Sequence, residues 1–188
     1  MALRPEISGF DLARMRALFG CGDHAVADRA VEHACRFAGT DLAVEAHVRD
    51  IVLGTVAPDR VSFEKADFVN AVVSLAYFGQ AHVETGSNVW KNGHLDLWST
   101  LPEEPPADAR WADAYRLLEW ALVQRPLFGV AQDSDWTTYG YLSHDEVRRL
   151  LSYRDLLPDS RDQDFAGDFF DWLEEIDEAG LDYWFYAR

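Results

Sequence analysis

Residues 165–187 read FAGDFFDWLEEIDEAGLDYWFYA, and this stretch decides the class of fold. Its apolar residues recur at spacings of four, three and four, which is the pattern of one helix face. The residues of this face are Phe165, Phe169, Trp172 and Ile176. Gly180 is typical of a residue that ends a helix, and residues 181–187 have the aromatic content and length of a strand. The stretch therefore predicts a helix over 165–179, with a core-facing side, followed by a strand.

The opposite side of the same helix is strongly anionic. Between Asp159 and Asp182 there are ten acidic residues and one arginine, so this segment carries −9 of the formal net charge of −16. Neighbouring carboxylates on a helix repel each other, and acids near its C-terminus oppose the helix dipole. Folding gives no reason for these charges, so we take them as candidate partner-binding residues. The candidates on this helix are Asp168, Asp171, Glu174, Glu175 and Glu178.

The composition is that of a folded domain with an acidic surface. The chain has 188 residues, of which 48% are hydrophobic and 13% aromatic, and this favours a single globular domain over residues 1–188. Its pI near 4.6 argues against nucleic acid as a ligand and against an anionic membrane surface, since both require Lys and Arg. A concentrated anionic face attracts basic proteins instead. We therefore expect a basic protein partner, with an inhibitor that mimics DNA as a variant of this hypothesis.

The compartment is inferred from the same sequence. The N-terminus lacks a basic region followed by an apolar run, so we expect no signal peptide. The longest nearly apolar run, residues 71–79, is too short for a membrane span. Cys21 and Cys35 lie in or beside helical patterns, where we expect buried free thiols. Arginine greatly outnumbers lysine, which is common in GC-rich bacterial genomes. The expectation is a cytoplasmic, bacterial protein.

Helical patterns fill much of the remaining chain. Residues 64–78 leave little polar surface, which predicts a buried central helix. The C-terminal strand requires partners, for which residues 127–131 and the first residues of the chain are candidates. The predicted class is α+β, mainly helical, with about seven helices around helix 64–78 and a small sheet that includes strand 181–187. The other predicted helices cover residues 11–19, 24–37, 42–52, 108–124 and 143–153, the last with a capping box of Ser143 and Glu146.

No motif indicates metal, cofactor or catalytic chemistry. Cys21 and His24 have a Cys-x-x-His spacing, but a structural zinc site requires a second pair of ligands that the sequence lacks. A nucleophile elbow and a glycine-rich phosphate loop are also absent. We therefore expect no catalytic residue, no metal and no cofactor. Two weaker pairs with alternating spacing are His82 with Glu84 and His94 with Asp96.

Residues 132–141 combine acidic and aromatic side chains without helical periodicity. At binding sites, rings supply contact area and carboxylates supply orientation. We therefore add this segment, as a surface loop, to the partner-binding candidates. The residues concerned are Asp133, Asp135, Trp136 and Tyr139. The opposite interpretation is that Trp136 and Tyr141 fold back over the core.

A second hypothesis makes the chain a small enzyme or a ligand-binding domain. Its pocket would use the same aromatic segment together with histidines from the irregular region that precedes residue 100. The residues that would line it are Trp136, Tyr139, Tyr141, and His82 or His94.

Two further segments carry a family pattern. RPLFGV occupies residues 125–130, and YGYLSHDEV occupies residues 139–147 after a short acidic insert. They resemble a family of uncharacterised bacterial cytosolic proteins in which a Pro-rich extended segment precedes Gly-Tyr-Leu-Ser-x-x-Glu-Val. Residues 10–20 and 183–186 are similar to the ends of that family. The resemblance implies a standalone α+β domain in the style of immunity proteins, and it implies no catalytic residues. The leading hypothesis is a non-enzymatic binding domain of the immunity or antitoxin type.

Overall fold

The computed structural model describes residues 5–38, 42–55, 66–78, 83–87, 108–122, 125, 127, 138–156 and 164–187. Within these ranges the chain forms seven α-helices, one 3-10 helix and four strands, so the predicted class, α+β and mainly helical, is confirmed. The chain divides into two compact units. The first comprises residues 1–10, 83–125 and 139–188, and the second comprises 11–82 and 126–138. The single domain expected from chain length stays a prediction.

Helices and strands alternate irregularly along the chain. In order they are β1 (Pro5–Phe10), α1 (Leu12–Arg16), α2 (His24–Ala38), α3 (Leu42–Leu53), α4 (Ala66–Tyr77), β2 (Val83–Ser87), α5 (Ala109–Leu122), β3 (Thr138–Leu142), α6 (His144–Leu151), a 3-10 helix (Arg154–Leu156), α7 (Asp164–Glu178) and β4 (Asp182–Ala187). The helices lie close to their predicted positions, because their periodicity is a local property of the sequence. Strands β2 and β3 lie in segments whose sequence gives no strand pattern.

The four strands form one sheet in the order β2-β1-β4-β3. Strand β1 pairs in antiparallel fashion with β2 and with β4. The register between β1 and β4 is unbroken, whereas the register between β1 and β2 shifts between Ile7 and Ser8. The N-terminal partner predicted for the C-terminal strand is therefore confirmed. The other candidate, residues 127–131, lies outside the described residues apart from Leu127.

Strand β4 occupies an inner position and buries four consecutive aromatic side chains. These are Tyr183, Trp184, Phe185 and Tyr186. Because side chains alternate along a strand, they divide between the two faces of the sheet. Tyr183 and Phe185 belong to a core that they share with α5, α6 and α7. Trp184 lies on the other face, where its ring stacks on that of Tyr139 at a centroid distance of 5.4 Å.

Helices α5, α6 and α7 supply most of the core on the first face. The buried helical side chains are Leu117, Leu118, Ala121, Leu122, Val147, Leu150, Phe169, Phe170, Leu173 and Ile176. Phe169 and Ile176 lie in the core as predicted. Trp172 is partly buried and packs against the edge of this core, while Phe170 and Leu173, which the predicted face did not include, take central positions. The side chain of Phe165 lies outside the described part of the chain.

The second unit is built on helices α2, α3 and α4, which pack against one another. Three alanines of α2 are fully buried, and such small residues allow the helices to approach closely. They are Ala27, Ala30 and Ala34. Every residue from 71 to 76 of α4 is buried, as the apolar sequence of this helix predicts.

In the second unit, backbone N–H groups of the loop between α1 and α2 form hydrogen bonds with the last carbonyls of α3. The backbone N–H groups of Gly20 and Gly22 donate to the carbonyls of Ile51 and Val52 at 2.9 and 3.1 Å, which satisfies the end of α3. Both glycines have positive φ angles, a conformation that other residues rarely adopt. Cys21 between them is exposed, so the expectation of two buried thiols was wrong for this residue.

A close contact joins α5 to strand β3. A Cβ atom on Gly140 would lie 2.3 Å from the carbonyl oxygen of Ala121 and 2.6 Å from that of Trp120. Both are backbone atoms of a helix that packs on the core, so they cannot move aside as the end of a side chain does. Glycine fits this contact because it has no Cβ atom.

Replacing Gly140 by alanine should lower the free energy of unfolding by about 2 kcal/mol, because the added methyl group overpacks a backbone contact. Gly9→Ala is the matched control in strand β1. There the nearest atom is the end of the Leu181 side chain, at 2.9 Å, and the loss should be smaller. Urea unfolding followed by tryptophan fluorescence measures both variants. Equal losses in the two variants would contradict this explanation of Gly140.

Arg125 and Glu146 join the end of α5 to the start of α6. The Arg125 guanidinium lies between the rings of Trp120 and Tyr141, at 4.2 and 4.3 Å from their centroids. It donates to both Glu146 carboxylate oxygens, at 2.7 and 3.1 Å. Glu146 also accepts hydrogen bonds from the backbone N–H and the hydroxyl of Ser143, so the predicted pairing of these two residues at the helix start is confirmed.

The environment of Glu146 determines its ionisation. Its side chain is 16% exposed and that of Arg125 is 19% exposed. Burial raises the pKa of Glu146, but the hydrogen bonds from Arg125 and Ser143 and the charge of Arg125 outweigh this effect and hold the pKa below its usual value. A carboxyl group with a lowered pKa in the folded state stabilises the fold above its usual pKa. That stabilisation disappears as the pH falls through the folded-state pKa.

The variant Glu146→Gln should be less stable than the wild type by about 2 kcal/mol at neutral pH, because Arg125 loses a charged partner. The difference should begin to shrink below the usual glutamate pKa of 4.5, and it should disappear once the pH has fallen through the lowered folded-state pKa of Glu146, where protonation removes the same interaction from the wild type. Urea unfolding over a series of pH values, from neutral down through the acidic range, tests this. Glu119→Gln changes an exposed glutamate of α5 and should have little effect. A stability difference that does not depend on pH would rule out this role.

Candidate functional site

Helix α7 presents a row of exposed carboxylates on the side away from the core. The row consists of Asp171, Glu174, Glu175 and Glu178, and we call it the carboxylate face. Their positions follow from the helical repeat, since Phe169, Leu173 and Ile176 turn the other side of the helix towards the sheet. Asp168 lies in α7 as predicted, but its side chain is outside the described residues.

The C-terminus of α7 fixes where this row ends. Gly180 has a φ angle of 66°, and its N–H donates to the carbonyl of Asp177 at 3.0 Å. The N–H of Leu181 donates to the carbonyl of Ile176 at 3.1 Å, which completes a Schellman motif. The carboxylates of Glu175 and Glu178 therefore lie in the last turn, where the helix dipole disfavours negative charge.

Arg154 of the 3-10 helix neutralises one half of the carboxylate face. Its guanidinium donates to Glu174 at 2.7 Å and to Asp171 at 3.0 Å. The same guanidinium lies over the ring of Phe170, with its central carbon 5.4 Å from the ring centroid. Asp171 and Glu174 are exposed as predicted, and each of them has an intramolecular counterion.

Asp177 belongs to the same helix but has a structural role. Its Oδ1 accepts a hydrogen bond from Arg148 Nε at 2.8 Å and lies 2.6 Å from His144 Nε2. The hydrogen bond from Arg148 lowers the pKa of Asp177, and this effect together with the contact to His144 outweighs the opposing effect of burial. The neighbouring Asp182 accepts the backbone N–H of His144 at 2.8 Å. Two acids of the segment thus anchor the start of α6.

Glu175 and Glu178 differ from the rest of the row. Both are exposed, and within the described ranges neither forms an ion pair. The arginines of this unit that the structure describes are already bound to other acids, so they do not neutralise these two glutamates. The pairs in this unit are Arg110 with Asp155, Arg116 and Arg149 with Asp113, Arg125 with Glu146, Arg148 with Asp177, and Arg154 with Asp171 and Glu174.

The aromatic candidates do not join this face. Tyr139 was predicted to lie in a surface loop, and this was wrong, because it lies in strand β3 with its side chain 1% exposed and stacked on Trp184. Tyr141 is buried in the same strand, as the opposite interpretation predicted, and its ring contacts Arg125. The remaining candidates of that segment lie outside the described residues. They are Asp133, Asp135 and Trp136.

Metal binding receives no support from the described part of the chain. Within it, no three His, Cys, Asp or Glu side chains lie close enough together to hold a metal ion. Cys35 donates its thiol hydrogen to Glu45 of α3 at 3.2 Å, and this hydrogen bond raises the pKa of Cys35. The two weaker pairs, His82 with Glu84 and His94 with Asp96, have side chains outside the described residues.

Three residues that contact the acids of α7 could not be predicted from the sequence. Arg154, His144 and Arg148 meet α7 across separations of 17 to 33 residues. No periodic pattern joins positions that far apart, so only the folded chain reveals which carboxylates are paired. The signal that was available is the excess of acid over arginine in this segment, which correctly predicted exposed negative charge.

Comparison with known proteins provides no further assignment. No family model matches this chain, and neither a curated protein nor a solved structure is found to be similar to it. Among the described helices, none has both the length and the apolar composition needed to cross a membrane.

Asp177 and Glu178 should respond differently to the loss of charge, although they are adjacent. Asp177→Asn should lower the free energy of unfolding by about 1 kcal/mol, because it weakens the contacts to Arg148 and His144. Glu178→Gln should leave stability unchanged or raise it by a few tenths of a kcal/mol, because its charge opposes the helix dipole. Thermal unfolding of both variants at neutral pH is the measurement. A loss for Glu178→Gln as large as that for Asp177→Asn would refute this division.

Proposed function

We propose that this chain is a non-enzymatic, cytoplasmic binding domain that docks a basic protein through its carboxylate face. The observation that carries the proposal is the distribution of counterions on the first unit. Its described arginines are each bound to an acid, whereas Glu175 and Glu178 are exposed without one. Glu175 and Glu178 therefore place two uncompensated charges close together at the C-terminal end of α7.

The net charge of the chain supports the same proposal. A protein with a formal charge of −16 attracts basic partners from a distance, and a local excess of carboxylates orients them as they approach. Such charge complementarity increases the rate of association and excludes acidic competitors. Nucleic acid is disfavoured as a ligand for the same reason, although an inhibitor that mimics DNA would use this type of surface against a nucleic-acid-binding protein.

Folding does not account for the unpaired charges. Glu175 and Glu178 are three residues apart in the last turn of α7, where they repel each other and oppose the dipole. Glutamine at both positions would remove both penalties and keep the helix. The presence of both charges favours a role outside folding, and an immunity or antitoxin type of inhibitor, which the family resemblance implies, is the role that we propose.

The proposal is tested by a capture experiment with a charge-matched control. The variant Glu175→Gln/Glu178→Gln and the wild type are used as baits in native lysate of the source organism. A basic protein should bind the wild type, should be released by salt, and should bind the variant about tenfold more weakly, since two exposed charge contacts are lost. The control variant Glu32→Gln/Glu119→Gln removes the same charge from α2 and α5. Equal capture by all three baits would show that the carboxylate face binds no partner.

A further inference from the structure

The guanidinium of Arg154 binds to the carboxylate face through contacts that an arginine of a partner protein could also form. Its two terminal nitrogens reach Glu174 at 2.7 Å and Asp171 at 3.0 Å, so one guanidinium contacts two carboxylates one helical turn apart. The ring of Phe170 lies beneath it and adds a cation–π contact. These three residues of α7 together form a seat for a guanidinium, which we call the guanidinium seat.

The present occupant of the guanidinium seat comes from another element. Arg154 belongs to the 3-10 helix that follows α6, and its side chain is 46% exposed. The side chains of Asp171 and Glu174 are more than half exposed, at 63% and 53%. Exposed ion pairs contribute little to stability, so Arg154 can leave the seat without unfolding the helix that forms it.

We propose that Arg154 is an autoinhibitory contact, which occupies the guanidinium seat until an arginine of the basic partner displaces it. This inference rests on the function proposed above and adds two statements to it. First, the free protein shields the Asp171–Glu174 half of the carboxylate face, so that Glu175 and Glu178 are the part of this face that is open to partners at first. Second, the displacing residue is arginine rather than lysine, because a planar guanidinium can donate to both carboxylates while its flat face lies on the ring, whereas the ammonium group of lysine is a compact point charge without this fixed geometry.

The test measures the binding of hexaarginine and hexalysine peptides to purified protein at low salt by isothermal titration calorimetry. Arg154→Ala should bind hexaarginine about threefold to fivefold more tightly than the wild type, which is the range expected for one exposed ion pair. The gain for hexalysine should be smaller. Arg36→Ala is the matched control, because it also removes an arginine from an exposed ion pair, the one with Glu32 on α2, and it should show no such gain.

Three results would overturn the inference. The first is an equal gain in Arg36→Ala, which would mean that net charge alone is responsible. The second is an equal gain for both peptides, which would mean that the seat does not select a guanidinium. The third is an unchanged affinity in Arg154→Ala when circular dichroism shows that the variant is folded. Arg154→Gln keeps an aliphatic stem over Phe170 and provides the same comparison if the alanine variant is unstable.

A further variant separates this inference from the proposed function. Adding Asp171→Asn and Glu174→Gln to Arg154→Ala should abolish the gain for hexaarginine, because the guanidinium seat is then removed. Failure of the proposed function has a different signature, which is capture from lysate that does not depend on Glu175 and Glu178. Retention of the gain in the triple variant contradicts the autoinhibitory role of Arg154 and leaves the capture result unaffected.

Discussion

The first unit depends on a strand that is enclosed on every side. Strand β4 has β1 on one edge and β3 on the other, and its four aromatic side chains are buried on both faces of the sheet. In such a strand, a shift of register by one residue would move every one of these aromatic side chains to the opposite face, so the register is strongly specified. The helices α5, α6 and α7 pack against the face of the sheet that carries Tyr183 and Phe185. The two strands that flank β4 each contain a glycine at a close contact, Gly9 beside Leu181 and Gly140 beside the carbonyl of Ala121.

Much of this arrangement is predictable because it is local. The helical face that contains Phe169 and Ile176 and the pairing of Ser143 with Glu146 depend on residues within one or two turns of each other. Strands β2 and β3 are different, because their pairing partners are distant in sequence. In the sequence, Gly140 of β3 is typical of a residue that interrupts a strand. The reason for a glycine at this position is the carbonyl of Ala121, which leaves no room for a Cβ atom. The same limitation led to the wrong expectation that Tyr139 is exposed.

The candidate site was predictable in part for the same reason. Exposure of Glu175 and Glu178 follows from the helical repeat, since their positions lie opposite the core residues Leu173 and Ile176. Which acids are neutralised does not follow, because Arg154 is supplied by another helix. Sequence alone therefore gives the sign and the position of the charge, and the fold determines how much of it is compensated.

The acidic segment is best understood as two sets of carboxylates with different physical roles. Asp177 and Asp182 contact His144 at the start of α6, where negative charge complements the positive end of the helix dipole, so folding accounts for them. Glu175 and Glu178 lie at the negative end of α7 and have no such compensation. If charge in this segment served only to keep the protein dissolved, the unfavourable last turn would be a poor location for it, because exposed positions elsewhere avoid the dipole penalty. The argument for a binding role therefore depends on the location of these two glutamates, and it does not depend on the total charge of the chain.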